Sequence, residues 1–243
     1  MSETEKRDEE LPWRAALGPL GTPRRFGPLL VLILITAGFQ VAAPDTQAVR
    51  FVAIVLLAAT LVATVWAAGT RRSLRIGLSV FAGVIVLLAG LDLFGPSEIE
   101  ATDVGIGQLL LVAVVPTTIA IAVLRDLRDA GRVTLRAVFG VLCIYVVLGM
   151  AFAYIAEVIG WISGESFFNE VSIATISDHV FFSYATLTTV GYGDLTVANQ
   201  AGRTLAMIEA LLGQIYVVTV VAIIVGNLGS GRGRSESTVE AGA

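Results

Sequence analysis

Thr186 to Leu195 reads TLTTVGYGDL, a glycine-spaced segment set between two long apolar stretches. Within it, Gly191 and Gly193 alternate with Val190 and Tyr192. Glycine takes positive φ without a Cβ clash. The pentamer Thr189-Val190-Gly191-Tyr192-Gly193 can therefore alternate in handedness, aim successive carbonyls at one axis and turn the Val190 and Tyr192 side chains away into a wall. At average residue usage such a pentamer arises by chance in a chain of this size roughly once in several thousand.

Composition shows what surrounds this segment. With 56% hydrophobic residues, 15% charged residues and a mean hydropathy of +0.82, the 243-residue chain is far more apolar than a soluble domain. The solvent of its core is expected to be lipid. Cys143 is the single cysteine and lies in an apolar run, which excludes an intrachain disulfide or zinc cluster and marks it as a small core residue. His179 is the single histidine, so histidine-based metal sites and catalytic dyads within one subunit are disfavoured and no enzyme chemistry is expected. A net charge of -4, evenly mixed, argues against a nucleic-acid partner.

Residues 1–25, with a charged run from Glu3 to Glu10 followed by Pro12, Pro19 and Pro23, are expected to form a polar tail. Six apolar stretches follow, at Phe26–Ala43, Val49–Ala68, Leu74–Phe94, Gly105–Leu124, Val133–Gly160 and Thr204–Gly226. Each is long enough, or nearly so, to cross a hydrocarbon core of about 30 Å at about 1.5 Å per residue. The expected organisation is a four-helix transmembrane region at 26–124, a linker at 125–136, a module at 133–226 and a glycine- and serine-rich tail at 227–243. The first stretch also has the form of a signal-peptide apolar region with Val41 and Ala43 as a cleavage pair, but the long, partly acidic lead argues against it.

Loop charge sets orientation. Fourteen of the sixteen basic residues precede the first stretch, lie between the second and third or the fourth and fifth, or follow the sixth. Only Arg50 and Arg203 fall on the other side, where Glu157, Glu165, Glu170, Asp178 and Asp194 collect. Both termini are expected to be cytoplasmic, and the TVGYG loop is expected to enter from outside.

From Thr134 to Gly226 the order is span, short re-entrant helix, glycine-spaced loop, span. On this order and on Thr189–Gly193 the segment resembles the pore module of tetrameric potassium channels, most closely from Ser177 to Gly213. The first four spans resemble only the general six-span plan of that superfamily. The resemblance implies an all-α membrane protein with six transmembrane helices and a re-entrant pore helix and selectivity filter between the fifth and sixth. It also implies a homotetramer in the lipid bilayer, since one loop per chain cannot close a ring. In such filters backbone carbonyls replace the hydration shell of potassium. Bound K+ is therefore expected at Thr189, Val190, Gly191 and Tyr192, with Thr189 adding its hydroxyl, and no other cofactor is expected.

The pore helix is expected over 178–188, capped by Ser177 or Asp178 and ending near the membrane midplane with its negative dipole end toward a cavity. Phe181, Phe182 and Tyr184 are expected to form a collar holding Tyr192 outward. Asp194 is expected at the outer mouth, where a loop hydrogen bond from it would brace the filter. Two positions depart from the family pattern. Ala185 stands where some relatives carry an acid that pairs with the aspartate matching Asp194, and Val197 stands where a proline is common.

The inner helix is expected over 204–226. Gly213 corresponds to the family's hinge and is equally a small residue allowing close packing. Glu209 lies one turn before it in an otherwise apolar span, and an intramembrane carboxylate is costly enough to imply a function. It is expected to support the pore helix from behind by hydrogen bonding. Val221 and Val225 are four apart on one helix face and are candidates for an apolar gate.

The fourth span, Gly105–Leu124, carries no arginine or lysine. Voltage sensing moves charges through the field at about 2.3 kcal/mol per charge per 100 mV. The expectation is thus a potassium-selective channel, not voltage-gated, conducting passively across the plasma membrane, and the arginine-rich, lysine-poor composition points to a bacterium. The alternative is a secondary cation transporter with a re-entrant binding segment. It would show paired interrupted helices in two repeat halves, and the sequence has no such symmetry.

Overall fold

Seven helices follow one another in the computed structural model, which describes residues 26–44, 46–68, 71–94, 101–130 and 135–240. They are α1 (Phe26–Ala42), α2 (Gln47–Ala67), α3 (Arg72–Phe94), α4 (Ala101–Ala130), α5 (Leu135–Ser163), α6 (Ile176–Leu187) and α7 (Gln200–Glu240). The expected tail at 1–25, residues 131–134 of the expected linker and residues 241–243 lie outside the described residues.

Among the described residues four helical segments, Gln47–Ala67, Arg72–Leu91, Ala137–Ser163 and Gln200–Ile223, are long and apolar enough to cross a membrane. The other two expected spans fall on shorter apolar stretches, Phe26–Ala42 and Gly107–Ile121. The 17 residues of α1 make about 25 Å of helix at 1.5 Å per residue, short of a full hydrocarbon core.

The C-terminal ends of two helices lie well beyond the expected spans, for one physical reason. Apolar length measures the thickness of lipid, whereas a helix, once nucleated, extends at the cost of one residue's ordering per new hydrogen bond. α4 therefore continues past Leu124 through Arg125 and Arg128 to Ala130, positions expected in a linker. Likewise α7 continues past Gly226 to Glu240, positions expected in a tail.

The core forms where the faces of α1, α2, α4 and α5 meet. On α2, Ile54, Leu57, Ala58, Leu61 and Val65 recur at three- and four-residue spacing and are all buried. They meet Leu29 and Ile33 of α1, Leu111, Val115 and Ile119 of α4, and Cys143, Val147 and Met150 of α5. Cys143 is buried and free of disulfides, as a small core residue should be. In lipid an apolar surface gains little by meeting another, so polar contacts count for more between helices. Thr36 and Thr60 hydroxyls approach to 3.3 Å between α1 and α2, and the Tyr154 hydroxyl donates to Gln40 Oε1 at 2.9 Å between α5 and α1.

α3 behaves differently. Only 11% of its apolar window is buried within the chain. α7 shares that low burial, with Met207, Leu211, Ile215 and Val218 exposed. Among its polar contacts, Glu209 reaches Ser183 of α6, Tyr216 reaches Val141 of α5 and Gln214 reaches Thr189 in the loop after α6, where the site is built.

Candidate functional site

α6 begins at Ile176, two residues before the expected start. Its cap is Thr175, in extended conformation, whose hydroxyl accepts from the Asp178 amide at 3.3 Å while Asp178 Oδ2 takes the Thr175 amide at 2.8 Å. This reciprocal box outcompetes Ser177 and Asp178 as single caps because it satisfies two free amides together. Ser177 is instead turned outward from the helix start, and its hydroxyl donates to Val41 O at 2.8 Å, fastening α6 to the end of α1.

At its other end α6 runs directly into Thr189–Gly193. The amides of Val190 and Gly191 both donate to Ala185 O, at 2.9 and 3.1 Å, and that of Thr189 donates to Thr186 O at 2.9 Å. A trans peptide holds the preceding carbonyl opposite its N–H. The carbonyls of Thr188, Thr189 and Val190 therefore point away from α6. Positive φ falls at Thr189 (58°), Gly191 (55°) and Gly193 (81°), alternating with Val190 and Tyr192. Both expected glycines are left-handed, and Thr189 joins them, a conformation that costs a non-glycine residue about 1 kcal/mol or more. No periodicity marks Thr189 for this.

Thr189 Oγ1 accepts from Gln214 Nε2 at 3.0 Å, so the hydroxyl is oriented by α7. Gln214 was not anticipated, although its place next to Gly213 in an apolar span was a usable signal. Val190 is 53% and Tyr192 70% exposed within one chain, so their side chains are not enclosed by their own subunit.

The collar forms only in part. Phe181 stacks on Tyr192, with centroids 5.8 Å apart and planes 11° from parallel. Phe182, a helical step of about 100° away, instead packs edge-on against Phe167 and Phe168. Tyr184 points to the back of α6, where its ring lies against Gly149 and its hydroxyl donates to Val146 O at 2.7 Å. Asp194 is exposed and, among the described residues, accepts only from its neighbour Leu195, at 3.1 Å, so its bond stays inside the loop.

Two seams hold this hairpin. The outer one pairs the loop before α6 with the loop after the glycines, through Asn169 N to Thr196 O at 2.9 Å and Ala198 N to Phe167 O at 2.9 Å. Glu170 closes it, accepting the Thr196 amide at 2.8 Å and the Thr196 hydroxyl at 2.5 Å. These bonds, the hydroxyl's foremost, hold the Glu170 carboxyl below the ordinary carboxylate range. The role of Glu170 was not legible, because its partner lies 26 residues away.

The inner seam lies between α5, α6 and α7. Tyr145 donates to Leu187 O at 3.2 Å, and Tyr216 donates to Val141 O at 2.5 Å while its ring stacks on Tyr145. Ser183 Oγ, buried, lies 2.6 Å from Gly149 O and within hydrogen-bonding reach of Glu209 Oε1. Glu209 is 1% exposed and stands directly behind α6. Gly213 touches α6 one turn on, where a Cβ would fall inside contact distance of Leu187 O. Val221 and Val225 lie farther along α7, both exposed.

Among the described residues no group of three or more His, Cys, Asp or Glu gathers as a metal site. The hairpin instead carries a short run of backbone carbonyls turned away from α6, beside the Thr189 hydroxyl.

Residues 140–229 match a family model described as an ion channel. The match spans most of α5, all of α6, the glycine-spaced loop and α7 as far as 229. It supports an ion-channel family, ion transport and a membrane setting, and it gives no support to a transporter. Comparison with curated proteins and with solved structures found no match.

Proposed function

We propose that the chain is one subunit of a potassium-selective channel in which four copies surround an axis lined by Thr189, Val190, Gly191, Tyr192 and Gly193. The observation that carries this reading is the alternation of φ at Thr189, Gly191 and Gly193 with the adjoining amides drawn back to α6. That arrangement frees the carbonyls to replace the hydration shell of K+. The exposed Val190 and Tyr192 side chains fit a wall completed by neighbouring copies, and the exposed apolar face of α7 fits burial against them. Six membrane crossings, cytoplasmic termini and a bacterial plasma membrane belong to the same proposal, on the loop-charge asymmetry. So does weak voltage dependence, on the absence of arginine and lysine from Gly105–Leu124. Along α7, Gly213 serves as a close-packing residue or hinge, and Val221 and Val225 as an apolar gate.

The test is the reversal potential of purified protein in liposomes with asymmetric potassium and sodium. A strong preference for potassium and rubidium is expected, and equal potassium and sodium permeability overturns the assignment. Gly191→Ala should abolish selectivity or conduction with the fold retained, because a methyl group opposes the left-handed backbone.

A further inference from the structure

Ser183 has one hydroxyl proton and two acceptors. Gly149 O lies 2.6 Å from its Oγ, and Glu209 Oε1 is also within hydrogen-bonding reach. A hydroxyl donates once, so if Glu209 is ionised, one of the two contacts sets acceptor against acceptor. A second proton, on Glu209, removes the conflict: Glu209 donates to Ser183 Oγ, and Ser183 donates to Gly149 O.

The surroundings favour that arrangement independently. Glu209 is 1% exposed within its own chain, so a neighbouring copy cannot bring a cation to it. Facing it are the Tyr145 phenol and Gly149 O from α5, and Ser183 and the Tyr184 phenol from α6. Both phenols donate elsewhere, Tyr145 to Leu187 O and Tyr184 to Val146 O. On α6 one turn earlier, the His179 ring holds Thr175 O through Nδ1 and packs against Phe167 and Phe168. Tyr216, two turns farther along α7, donates to Val141 O. Ser183 is therefore the one hydrogen-bonding partner of Glu209 among the described residues, whereas an ionised carboxylate offers about four acceptor sites and is costly to bury with so few filled.

We propose that Glu209 is held as a neutral acid and is the first donor of a relay, Glu209 to Ser183 to Gly149 O, that ties α7 through α6 to α5. Glu209 is thus a positioning residue whose proton sets the seat of α6. When that proton leaves, the carboxylate claims the Ser183 hydrogen, Gly149 O loses the hydroxyl that reaches it from α6 and the back wall loosens. The effect on conduction rests on the channel function proposed above; the protonation itself does not.

Infrared difference spectra of the purified, lipid-reconstituted protein test the proton directly. Wild type minus Glu209→Gln should show the C=O stretch of a protonated carboxyl at neutral pH, and Ser183→Ala should move that band by removing its acceptor. Absence of the band overturns the proposal, and a band unmoved by Ser183→Ala overturns the relay. If Glu209→Gln does not assemble, the difference between Ser183→Ala and wild type reads the same band. In the conduction arm, Glu209→Gln, which keeps a donor, should conduct where Glu209→Leu does not. Wild-type potassium flux should fall about tenfold from neutral to strongly alkaline pH while Glu209→Gln changes less than about twofold. Parallel pH profiles for the two overturn the switch. If neither protein conducts potassium, the channel reading fails while the infrared result still decides the proton.

Discussion

Glu170 and Glu209 brace the same hairpin from opposite sides, and water separates their roles. Glu170 is exposed and takes two hydrogen bonds from Thr196, so any lone pair the protein leaves open is filled by solvent. Glu209 is buried among three helices with one hydroxyl in reach. An outer seam built this way tolerates the loss of a partner, because water replaces it. An inner seam does not, because each donor and each ångström there is fixed by packing. The stiff element of the proposed pore is thus its back wall, and its outer clasp is the adjustable one. Substitutions of graded size on the two seams can break this contrast.

The largest effect is expected at Gly213. Alanine ordinarily stabilises a helix over glycine by about 1 kcal/mol. Here the added Cβ meets a backbone carbonyl, Leu187 O, which has no rotamer to escape into. Overpacking of this kind costs about 1–3 kcal/mol, so the steric term wins and Gly213→Ala should lower the thermal unfolding midpoint in detergent and abolish or greatly reduce conduction. An unchanged midpoint would mean that α6 and α7 separate easily, and the contrast between seams would fail.

A smaller effect is expected at Tyr184→Phe, which removes the hydrogen bond to Val146 O and leaves the ring in place against Gly149. Val146 O keeps its helical partner, so the loss should be about 0.5–1.5 kcal/mol, the worth of one ordinary hydrogen bond. Thr196→Val, which removes one hydroxyl from the outer seam, should shift the midpoint less than Tyr184→Phe does. The reverse order in the same detergent would show that the outer clasp carries the greater share.

Much of this hairpin was legible in the sequence, because the signals were local. Gly191 and Gly193 announce their own backbone conformation, and Glu209 stands out because a carboxylate in an apolar span is costly. The start of α6 was misplaced although Thr175 and Asp178 carry the box spacing, since Ser177 and Asp178 also read as adequate caps. Within one chain Phe182 turns to Phe167 and Phe168 while Phe181 meets Tyr192, because neighbours in a helix diverge by about 100°. Ser183 and Gly149 were not legible as site residues at all. Each matters through a partner on another helix, and that pairing exists only after packing. Upstream, the apolar stretches located α2 and α3 closely, but hydropathy could not tell that α4 outlasts its span.

The finest test concerns the charge on Glu170. Its folded-state carboxyl is held below the ordinary carboxylate range by the Thr196 hydroxyl and amide. A depressed value means that the clasp contributes fully above the unfolded carboxylate range and is lost as pH falls through the lower folded value. Acid should therefore release Thr196 while Glu209, which holds its proton in the arrangement proposed, is left unaffected in the same interval. The measurement is amide hydrogen exchange at Thr196 and Ala198 as pH is lowered from neutral, corrected for intrinsic exchange. Protection at Thr196 should decline with acid in the wild type and be low and nearly flat in Glu170→Gln, whose amide is a weaker acceptor. Protection of the Val190 and Gly191 amides, which bond to Ala185 O on α6, should hold across the same range. Loss of protection at Val190 in step with Thr196 would show that the two seams open as one unit, and the adjustable outer clasp would have no independent existence.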